Sequence, residues 1–169
     1  KMVTTGGYNI YCTLDPNVQR ALDEVYQDLE NIPKTASSQQ LQSGMVIVDN
    51  ATGDIVALCG GVGKKEGSLT YNRATMSALS PGSTIKPVSV FAPAIELGLI
   101  TPATVYDDTP YSFTDSACWP KNTDNIYRGL VSVNEAVCNS YNTVAVKLVA
   151  EMTPEYSYAF AKDKMGLST

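Results

Sequence analysis

The chain has 169 residues, of which 44% are hydrophobic and 17% are charged, and its net charge is −5. These values are typical of a soluble globular protein with one sizeable core, and the absence of any Lys/Arg run argues against a nucleic-acid-binding protein. The sequence contains no histidine, which excludes every serine–histidine catalytic arrangement.

No segment of the sequence is typical of a targeting signal or a membrane span. The longest wholly aliphatic stretch, residues 45–48, is far too short to cross a bilayer. The chain begins at Lys1 rather than Met and shows no signal-peptide pattern. We therefore expect the chain to be part of a longer protein, with any targeting segment outside it.

The four cysteines form no C-x-x-C motif, and without histidine a metal or dithiol redox site is not predicted. Three disulfide connectivities are possible, but small buried apolar thiols are the simpler expectation. The cysteines are Cys12, Cys59, Cys118 and Cys138.

Residues 1–43 are predicted to hold a leading strand, a helix and a loop. The strand covers residues 8–13, and Asp15 and Pro16 then begin a helix as its N-cap and first residue. Pro33 ends this helix, and residues 34–42 form a polar loop. The apolar residues of the helix recur at helical spacing and are Val18, Leu22, Val25 and Leu29.

Residues 44–61 are predicted to form the first hairpin of a sheet. Strands at 44–49 and 54–59 flank a turn at 50–53. Because both strands are apolar at consecutive positions, we expect helices to cover both faces of the sheet.

Residues 80–169 are predicted to be mostly helical, starting with a helix over 83–97 that ends at Gly98. Its first turn should be irregular or 3₁₀, because Pro87 has no N–H to donate to the preceding turn. Pro93 predicts a second bend. Residues 101–125, rich in Pro, Asp, Ser and Thr, are predicted to be a long irregular loop.

Three shorter helices are predicted to follow. Ser132 and Glu135 match a capping box, which predicts a helix running to about Cys138. Residues 139–142 interrupt the helical pattern, residues 143–152 form the second helix, and the third starts at Pro154 and ends near Gly166.

Ser83 and Lys86 lie three residues apart at the start of the 83–97 helix, so they share one face of a helical turn. A serine hydroxyl needs a base to act as a nucleophile, and Lys86 is the only candidate nearby. With an ordinary pKa of about 10.4, less than about 0.1% of the amine would be neutral at pH 7. We therefore expect burial to depress the pKa of Lys86.

Two S-x-N triplets follow the Ser83–Lys86 pair in the sequence. The first, at Ser132 and Asn134, is explained by the helix cap. The second, at Ser140 and Asn142, lies at a break between two predicted helices, where side chains can point into a cleft. We predict that Ser140 and Asn142 join Ser83 and Lys86 in one site.

The order S-x-x-K on a helix start, then S-x-N between later helices, resembles the motif series of serine acyl-transfer enzymes of the penicillin-recognising group. The surrounding sequence resembles the transpeptidase domain of class A (bifunctional) penicillin-binding proteins over nearly the whole chain. The segments that carry the resemblance are Thr13-Leu14-Asp15-Pro16 with Gln19, Thr52-Gly53-Asp54-Ile55-Val56-Ala57, Tyr71-Asn72-Arg73-Ala74-Thr75, Pro81-Gly82-Ser83-Thr84-Ile85-Lys86-Pro87, Trp119-Pro120-Lys121-Asn122 with Gly129, and Ala136 with Asn139-Ser140-Tyr141-Asn142.

The resemblance implies an α+β fold of the penicillin-binding protein transpeptidase or serine β-lactamase type, an antiparallel sheet of five strands flanked by helices. The family needs a third motif, Lys-Thr-Gly or Lys-Ser-Gly, and none follows Ser140. We therefore expect residues 1–169 to be the front portion of one domain. Its parts are residues 1–43, the hairpin at 44–61 and the mostly helical 80–169. The hairpin should then show an unpaired apolar edge, which a remaining C-terminal segment would cover.

The resemblance also implies a role for each site residue. Ser83 is the nucleophile and Lys86 its base; Ser140 relays a proton to the leaving amine, and Asn142 holds Lys86 or the substrate amide. The Ser83 backbone N–H supplies one arm of an oxyanion hole. Trp119 and Tyr141 are candidates for shaping the acceptor groove, with packing as the alternative.

The implied reaction is acyl transfer at the D-Ala-D-Ala stem peptides of peptidoglycan, with β-lactams acylating the same serine and no metal or organic cofactor. The resemblance further implies an upstream glycosyltransferase domain and a membrane anchor in the full-length protein, and an extracytoplasmic location. Two alternatives stay open. A serine β-lactamase would need a water-activating glutamate, for which no convincing candidate is present. A non-catalytic module could bind cell-wall peptides or act as a scaffold.

Overall fold

The structure, a computed structural model, describes residues 5–112 and 119–167 and divides the chain into two units, residues 1–79 and 80–169. Within these described ranges, each unit contains one two-stranded antiparallel sheet and several helices. In the described part of the chain, no helix combines the length and the apolar character that crossing a membrane requires.

Helix α1 (Pro16–Gln27) of the first unit starts where the sequence predicts. The Asp15 carboxylate accepts hydrogen bonds from the backbone N–H groups of Asn17 and Val18, and Pro16 takes the first helical position. The helix ends at Gln27, earlier than predicted, and a 3₁₀ turn over Leu29–Asn31 follows it.

The predicted hairpin is present as strands β1 (Met45–Val48) and β2 (Ile55–Cys59), with Ile47 opposite Ala57. Gly53 closes the turn with a φ of +79°, a conformation that glycine adopts without strain.

Helix α1 packs on one face of this hairpin through Leu22 and Tyr26, which are buried against Ala57. The prediction that Val25 and Leu29 complete the apolar stripe is wrong, since both are more than half exposed. Tyr26, four residues after Leu22, takes that place, because residues spaced by four share a helix face.

The opposite face of the hairpin is less covered than predicted, with Val46, Val48 and Ile55 at least 40% exposed. Among the described residues, β1 pairs only with β2, so its outer edge is unpaired, as expected.

The outer edge of β2 is covered by polar contacts. The Gln19 carboxamide donates to the carbonyl of Leu58 at 3.0 Å and accepts from the Leu58 N–H at 3.0 Å. Asp15 N donates to Val56 O at 2.9 Å.

The prediction of a strand over residues 8–13 is wrong, because that segment forms no ladder with any described residue, and its Tyr11 is 92% exposed.

The second unit begins with a helical segment whose hydrogen-bonding pattern changes twice. A 3₁₀ turn covers Gly82–Ile85, a π-helical stretch covers Pro87–Phe91, and the α-helical end is α3 (Ala92–Glu96). Helix α2 is the short Arg73–Met76 helix of the first unit. The irregular first turn is the one that Pro87 predicts.

Each change of pattern follows from a proline without an N–H. Lys86 N donates to Ser83 O in the 3₁₀ turn that precedes Pro87. Pro93 cannot donate to Ser89 O, and the Ser157 hydroxyl satisfies that carbonyl from outside at 2.5 Å. Gly98 follows the helix with a φ of +70°.

The prediction of an irregular loop over residues 101–125 is wrong in part. Strand β3 (Val105–Asp108) lies inside it and pairs antiparallel with β4 (Gly129–Ser132). Two adjacent aspartates concealed the strand, since aspartate is rare in strands; here Asp108 faces inward and is held by hydrogen bonds.

Three helices complete the second unit much as predicted. The Ser132 hydroxyl accepts from Glu135 N at 3.1 Å and begins α4 (Val133–Cys138). Helix α5 covers Asn142–Met152, and α6 (Pro154–Ala159) continues as a π-helical turn. Their apolar side chains form one buried cluster with the first helical segment and β4: Val90, Phe91, Ala94, Ile100, Val131, Val133, Ala136, Tyr141, Val144, Ala145, Leu148 and Met152.

The cysteines differ from the prediction of buried thiols. Cys12 and Cys138 are exposed, Cys59 is half-buried, and all three are free. Cys118 lies outside the described residues.

Candidate active site

Lys86 is the centre of the candidate site, where its half-buried amine contacts the break between α4 and α5. Lys86 Nζ donates to the backbone carbonyl of Ser140 at 2.8 Å and to Asn142 Oδ1 at 2.5 Å. It also lies 3.1 Å from Ser140 Oγ. Three of the four predicted site residues therefore meet within the second unit.

Ser83 lies one helical turn before Lys86, on the exposed 3₁₀ segment Gly82–Ile85. The backbone connects the two residues, because Lys86 N donates to Ser83 O. The Ser83 hydroxyl makes no hydrogen bond with any described residue, so the expected Ser83–Lys86 hydrogen bond is not formed in this structure.

A backbone break aims Ser140 and Asn142 at the amine. Helix α4 ends at Cys138, and Ser140 takes a left-handed conformation with a φ of 56°. Tyr141 N then donates to Ala136 O at 3.0 Å, which closes the turn before α5 begins. A serine in this conformation costs on the order of 1 kcal/mol relative to glycine, which the surrounding contacts must offset.

The alternative triplet has no part in the site. Ser132 serves as the N-cap of α4, and Asn134 is exposed. Of the two triplets, Ser140 and Asn142 are the residues that contact the Lys86 amine.

The orientation of the Asn142 amide follows from its second partner. Asn142 Nδ2 donates to the backbone carbonyl of Lys121 at 2.7 Å, and a carbonyl can only accept. Oδ1 must then face Lys86 as an acceptor.

Two partners of Lys86, the Ser140 carbonyl and Asn142 Oδ1, accept only, and a neutral amine can satisfy both with its two N–H groups. Ser140 Oγ can either accept the third hydrogen bond of the ammonium or donate a hydrogen bond to the lone pair of the neutral amine. The Ser140 hydroxyl is thus placed to exchange a proton with Lys86.

Burial lowers the pKa of the Lys86 ammonium, as the sequence predicted. Among the described residues, none of its hydrogen-bond partners is a carboxylate that would favour the charged form. The lowered pKa increases the fraction of the amine that is neutral at a given pH.

Of the two aromatic candidates for the groove, Tyr141 is a packing residue. It is 4% exposed within the core of the second unit, and the Arg128 guanidinium lies 4.7 Å from the centre of its ring. Trp119 is 63% exposed, and its role in the groove stays a prediction.

Sequence reasoning gave no role to a buried polar cluster beside the site. Asn122 donates to Asp108 at 2.7 Å, and its Oδ1 accepts from Asn142 N at 2.8 Å. Nothing in the sequence around Asp108, which ends β3, indicates that its carboxylate is buried and bonded to Asn122. For Asn122, its place in the Trp119–Asn122 segment was the one available signal.

The site thus holds a half-buried lysine amine bonded to a serine hydroxyl and an asparagine amide, one helical turn from a second, exposed serine. The sequence model described as "Penicillin binding protein transpeptidase domain" matches residues 43–168. The chain belongs to this family.

The curated relatives agree with this assignment. Penicillin-binding protein 1A of Clostridium perfringens (strain 13 / Type A) is 35% identical over 99% of this chain and 26% of the relative. Penicillin-binding protein 1F of Bacillus subtilis (strain 168) is 32% identical over 93% of this chain and 21% of the relative. The chain thus spans about a quarter of the length of such relatives.

Solved structures show the same fold. The structure of PonA1 from Mycobacterium tuberculosis in complex with penicillin V matches 99% of this chain and 41% of that chain, with a TM-score of 0.76 and 22% identity. Penicillin-binding protein 1A from Haemophilus influenzae matches 75% of this chain and 19% of that chain, with a TM-score of 0.66 and 28% identity. The α+β transpeptidase fold predicted from the sequence is confirmed.

Proposed function

We propose that the longer protein containing this chain is a serine-type D-Ala-D-Ala transpeptidase that cross-links peptidoglycan stem peptides. The observation that carries the proposal is the Lys86 amine, which contacts Ser140 and Asn142 and lies on the same helical segment as Ser83. Family membership and the relatives' names support it.

In the acylation step, Ser83 Oγ attacks the carbonyl carbon of the penultimate D-Ala as its proton passes to the Lys86 amine. The tetrahedral oxyanion is stabilised in part by the Ser83 backbone N–H. Collapse of this intermediate breaks the peptide C–N bond. Lys86 returns the proton, through the Ser140 hydroxyl, to the departing D-Ala nitrogen.

In the second step, an amine of a neighbouring stem attacks the Ser83 ester carbonyl. The attacking amine loses one proton and the Ser83 oxygen leaves. Lys86 and Ser140 pass that proton to the Ser83 oxygen, which restores the hydroxyl. The new amide is the cross-link. Asn142 keeps the Lys86 amine in place through both steps, because its Oδ1 bonds to Nζ at 2.5 Å.

The proposal extends to inhibitors and location. A β-lactam would acylate Ser83 in the same way; PonA1 was solved in complex with penicillin V. On the resemblance, we place the site outside the cytoplasmic membrane. The glycan-polymerising domain, the membrane anchor and the third-motif segment would belong to other parts of the longer protein.

The test is covalent labelling of the full-length gene product with a fluorescent penicillin, followed by intact mass and peptide mapping. We expect a persistent adduct on Ser83, lost in Ser83→Ala with unchanged melting, and retained in the matched control Ser80→Ala, an exposed serine of the same segment.

Two other outcomes would contradict the proposal. Rapid turnover of the penicillin, with no lasting adduct, would indicate a β-lactamase. The absence of any adduct in the folded wild-type protein would indicate a binding or scaffold module.

A further inference from the structure

Three polar side chains are buried together beside the Lys86 site. Asp108 and Thr143 are fully buried, and Asn122 is 4% exposed. Burying polar groups, and a carboxylate above all, is costly unless hydrogen bonds satisfy them. The cluster therefore needs a reason beyond core packing.

Asp108, at the end of β3, is satisfied by donors that are not cations. It accepts from Asn122 Nδ2 at 2.7 Å, from the backbone N–H of Arg128 at 3.0 Å, and from the Thr143 hydroxyl. The Arg128 guanidinium instead forms its salt bridge with Asp124. The carboxylate is thus held by fixed dipoles and in turn fixes the amide of Asn122.

Asn122 uses both ends of its amide. Nδ2 donates to Asp108 and to Ile126 O at 3.0 Å. Oδ1 accepts from Asn142 N at 2.8 Å and lies 3.5 Å from Thr143 N. With Nδ2 fixed on two acceptors, Oδ1 has to face the start of α5.

The start of α5 depends on this contact. A helix begins with backbone N–H groups that lack partners within the helix. Tyr141 occupies the N-cap position and provides no capping side-chain bond. Asn122, 20 residues away in sequence, thus supplies an acceptor for the first N–H of the helix and a longer contact for the second.

The same short segment also holds the Asn142 side chain, because Asn142 Nδ2 donates to Lys121 O. Both the backbone and the amide of Asn142 are therefore anchored to residues 121–122. The free face of the amide, Oδ1, bonds to Lys86 Nζ.

We infer that Asn122, oriented by Asp108, is a positioning residue that acts through Asn142 to hold the Lys86 amine in its reactive place. This inference rests on the proposed function. Neither residue touches the reacting atoms, so each contributes through geometry, where a displacement of about 1 Å can cost on the order of a hundredfold in rate.

The experiment measures fluorescent-penicillin acylation in the full-length gene product and separates the rate constant at saturation from the apparent dissociation constant. Asn122→Leu keeps the branched shape of the side chain and removes both polar ends of the amide. We expect its rate constant to fall by about 10- to 100-fold, with the dissociation constant changed by less than about threefold.

The control is Ser132→Ala, which removes a helix cap outside the cluster. We expect Ser132→Ala to lower the melting temperature, because a helix cap is lost, and to leave the acylation rate constant unchanged.

A double-mutant cycle separates positioning from general destabilisation. If Asn122 acts through Asn142, then adding Asn122→Leu to Asn142→Ala lowers the rate constant by less than about threefold further. Full multiplication of the two effects would show that they are independent and would overturn the inference.

If Asn122→Leu does not fold, Thr143→Val decides, because it removes one donor to Asp108 with little change in shape. A loss of about 3- to 10-fold in the rate constant supports the inference, and an unchanged rate constant overturns it.

Different results would refute the positioning role of Asn122 and the transpeptidase function itself. A wild-type protein labelled on Ser83, with folded Asn122 variants labelled equally fast, removes only the positioning role. A folded wild-type protein that is never labelled removes both.

Discussion

Replacing Lys86 with methionine should separate the stability of the protein from its chemistry. The substitution Lys86→Met keeps an unbranched side chain of similar length but removes the amine. It therefore also removes the hydrogen bonds to the Ser140 carbonyl, the Ser140 hydroxyl and Asn142 Oδ1.

Two opposing contributions set the effect on folding. Hydrogen bonds to a charged group stabilise by about 1.5–3 kcal/mol each. Full burial of an ammonium costs several kcal/mol, and the half-buried Lys86 carries only part of that cost. Because burial lowers the pKa of Lys86, the cost exceeds the gain for the charged form. We therefore expect Lys86→Met to change the free energy of unfolding by less than about 1.5 kcal/mol at pH 7, or to raise it.

The lowered pKa of Lys86 also makes the free energy of unfolding depend on pH. Between the lowered pKa of the folded state and the value of about 10.4 in the unfolded chain, the unfolded state binds more protons. The stability of the wild-type protein therefore gains an increment as the pH rises through that interval, and this increment is absent in Lys86→Met. Melting curves of both proteins from neutral to alkaline pH measure the difference.

Acylation should respond very differently. Loss of a general base costs about 10²- to 10⁴-fold in rate. Stopped-flow labelling of the full-length gene product with a fluorescent penicillin measures this loss, and Lys162→Met, which removes an exposed lysine elsewhere, is the control. Acylation of Lys86→Met within tenfold of the wild-type rate would refute the assignment of Lys86 as the base.

Two further predictions concern single hydrogen-bonding groups. Ser140→Ala and Ser140→Gly both remove the relay hydroxyl and should slow acylation by about 10²-fold or more. The glycine variant should be more stable than the alanine variant by about 1 kcal/mol, because residue 140 has a φ of 56°. Equal melting temperatures of the two variants, or acylation at the wild-type rate in either one, would contradict this. Gln19→Leu removes both side-chain hydrogen bonds to the Leu58 backbone and should lower the free energy of unfolding by about 1–3 kcal/mol. The specific measurement is hydrogen exchange at the Leu58 amide, which should become faster. Unchanged protection of that amide would show that the edge of β2 does not depend on Gln19.

Signals that act over a few residues were readable from the sequence. The Asp15 cap, the Ser132 cap and the irregular turn before Pro87 were all confirmed, whereas the Glu135 side chain contacts Tyr141 instead of completing a capping box. Each depends on one backbone hydrogen bond or one restricted dihedral within about four residues, so the local sequence is enough to predict it.

Features that need a distant partner were predicted poorly. Strand β3 was missed because its pairing with β4 lies beyond the local window. The strand over residues 8–13 was predicted from its apolar residues, yet no described segment pairs with it. The exposed Cys12 and Cys138 show that residue type alone does not determine burial.

The candidate site divides in the same way. The sequence by itself determined that a serine and a lysine share a helical turn, because the spacing from Ser83 to Lys86 is a property of the helix. Only the tertiary structure decided that Lys86 meets Ser140 and Asn142, 54 and 56 residues later, and that a buried amide at Asn122 caps the helix that carries Asn142. Local geometry follows from the chain's own covalent limits, whereas those contacts exist only once the core has packed and brought distant segments together.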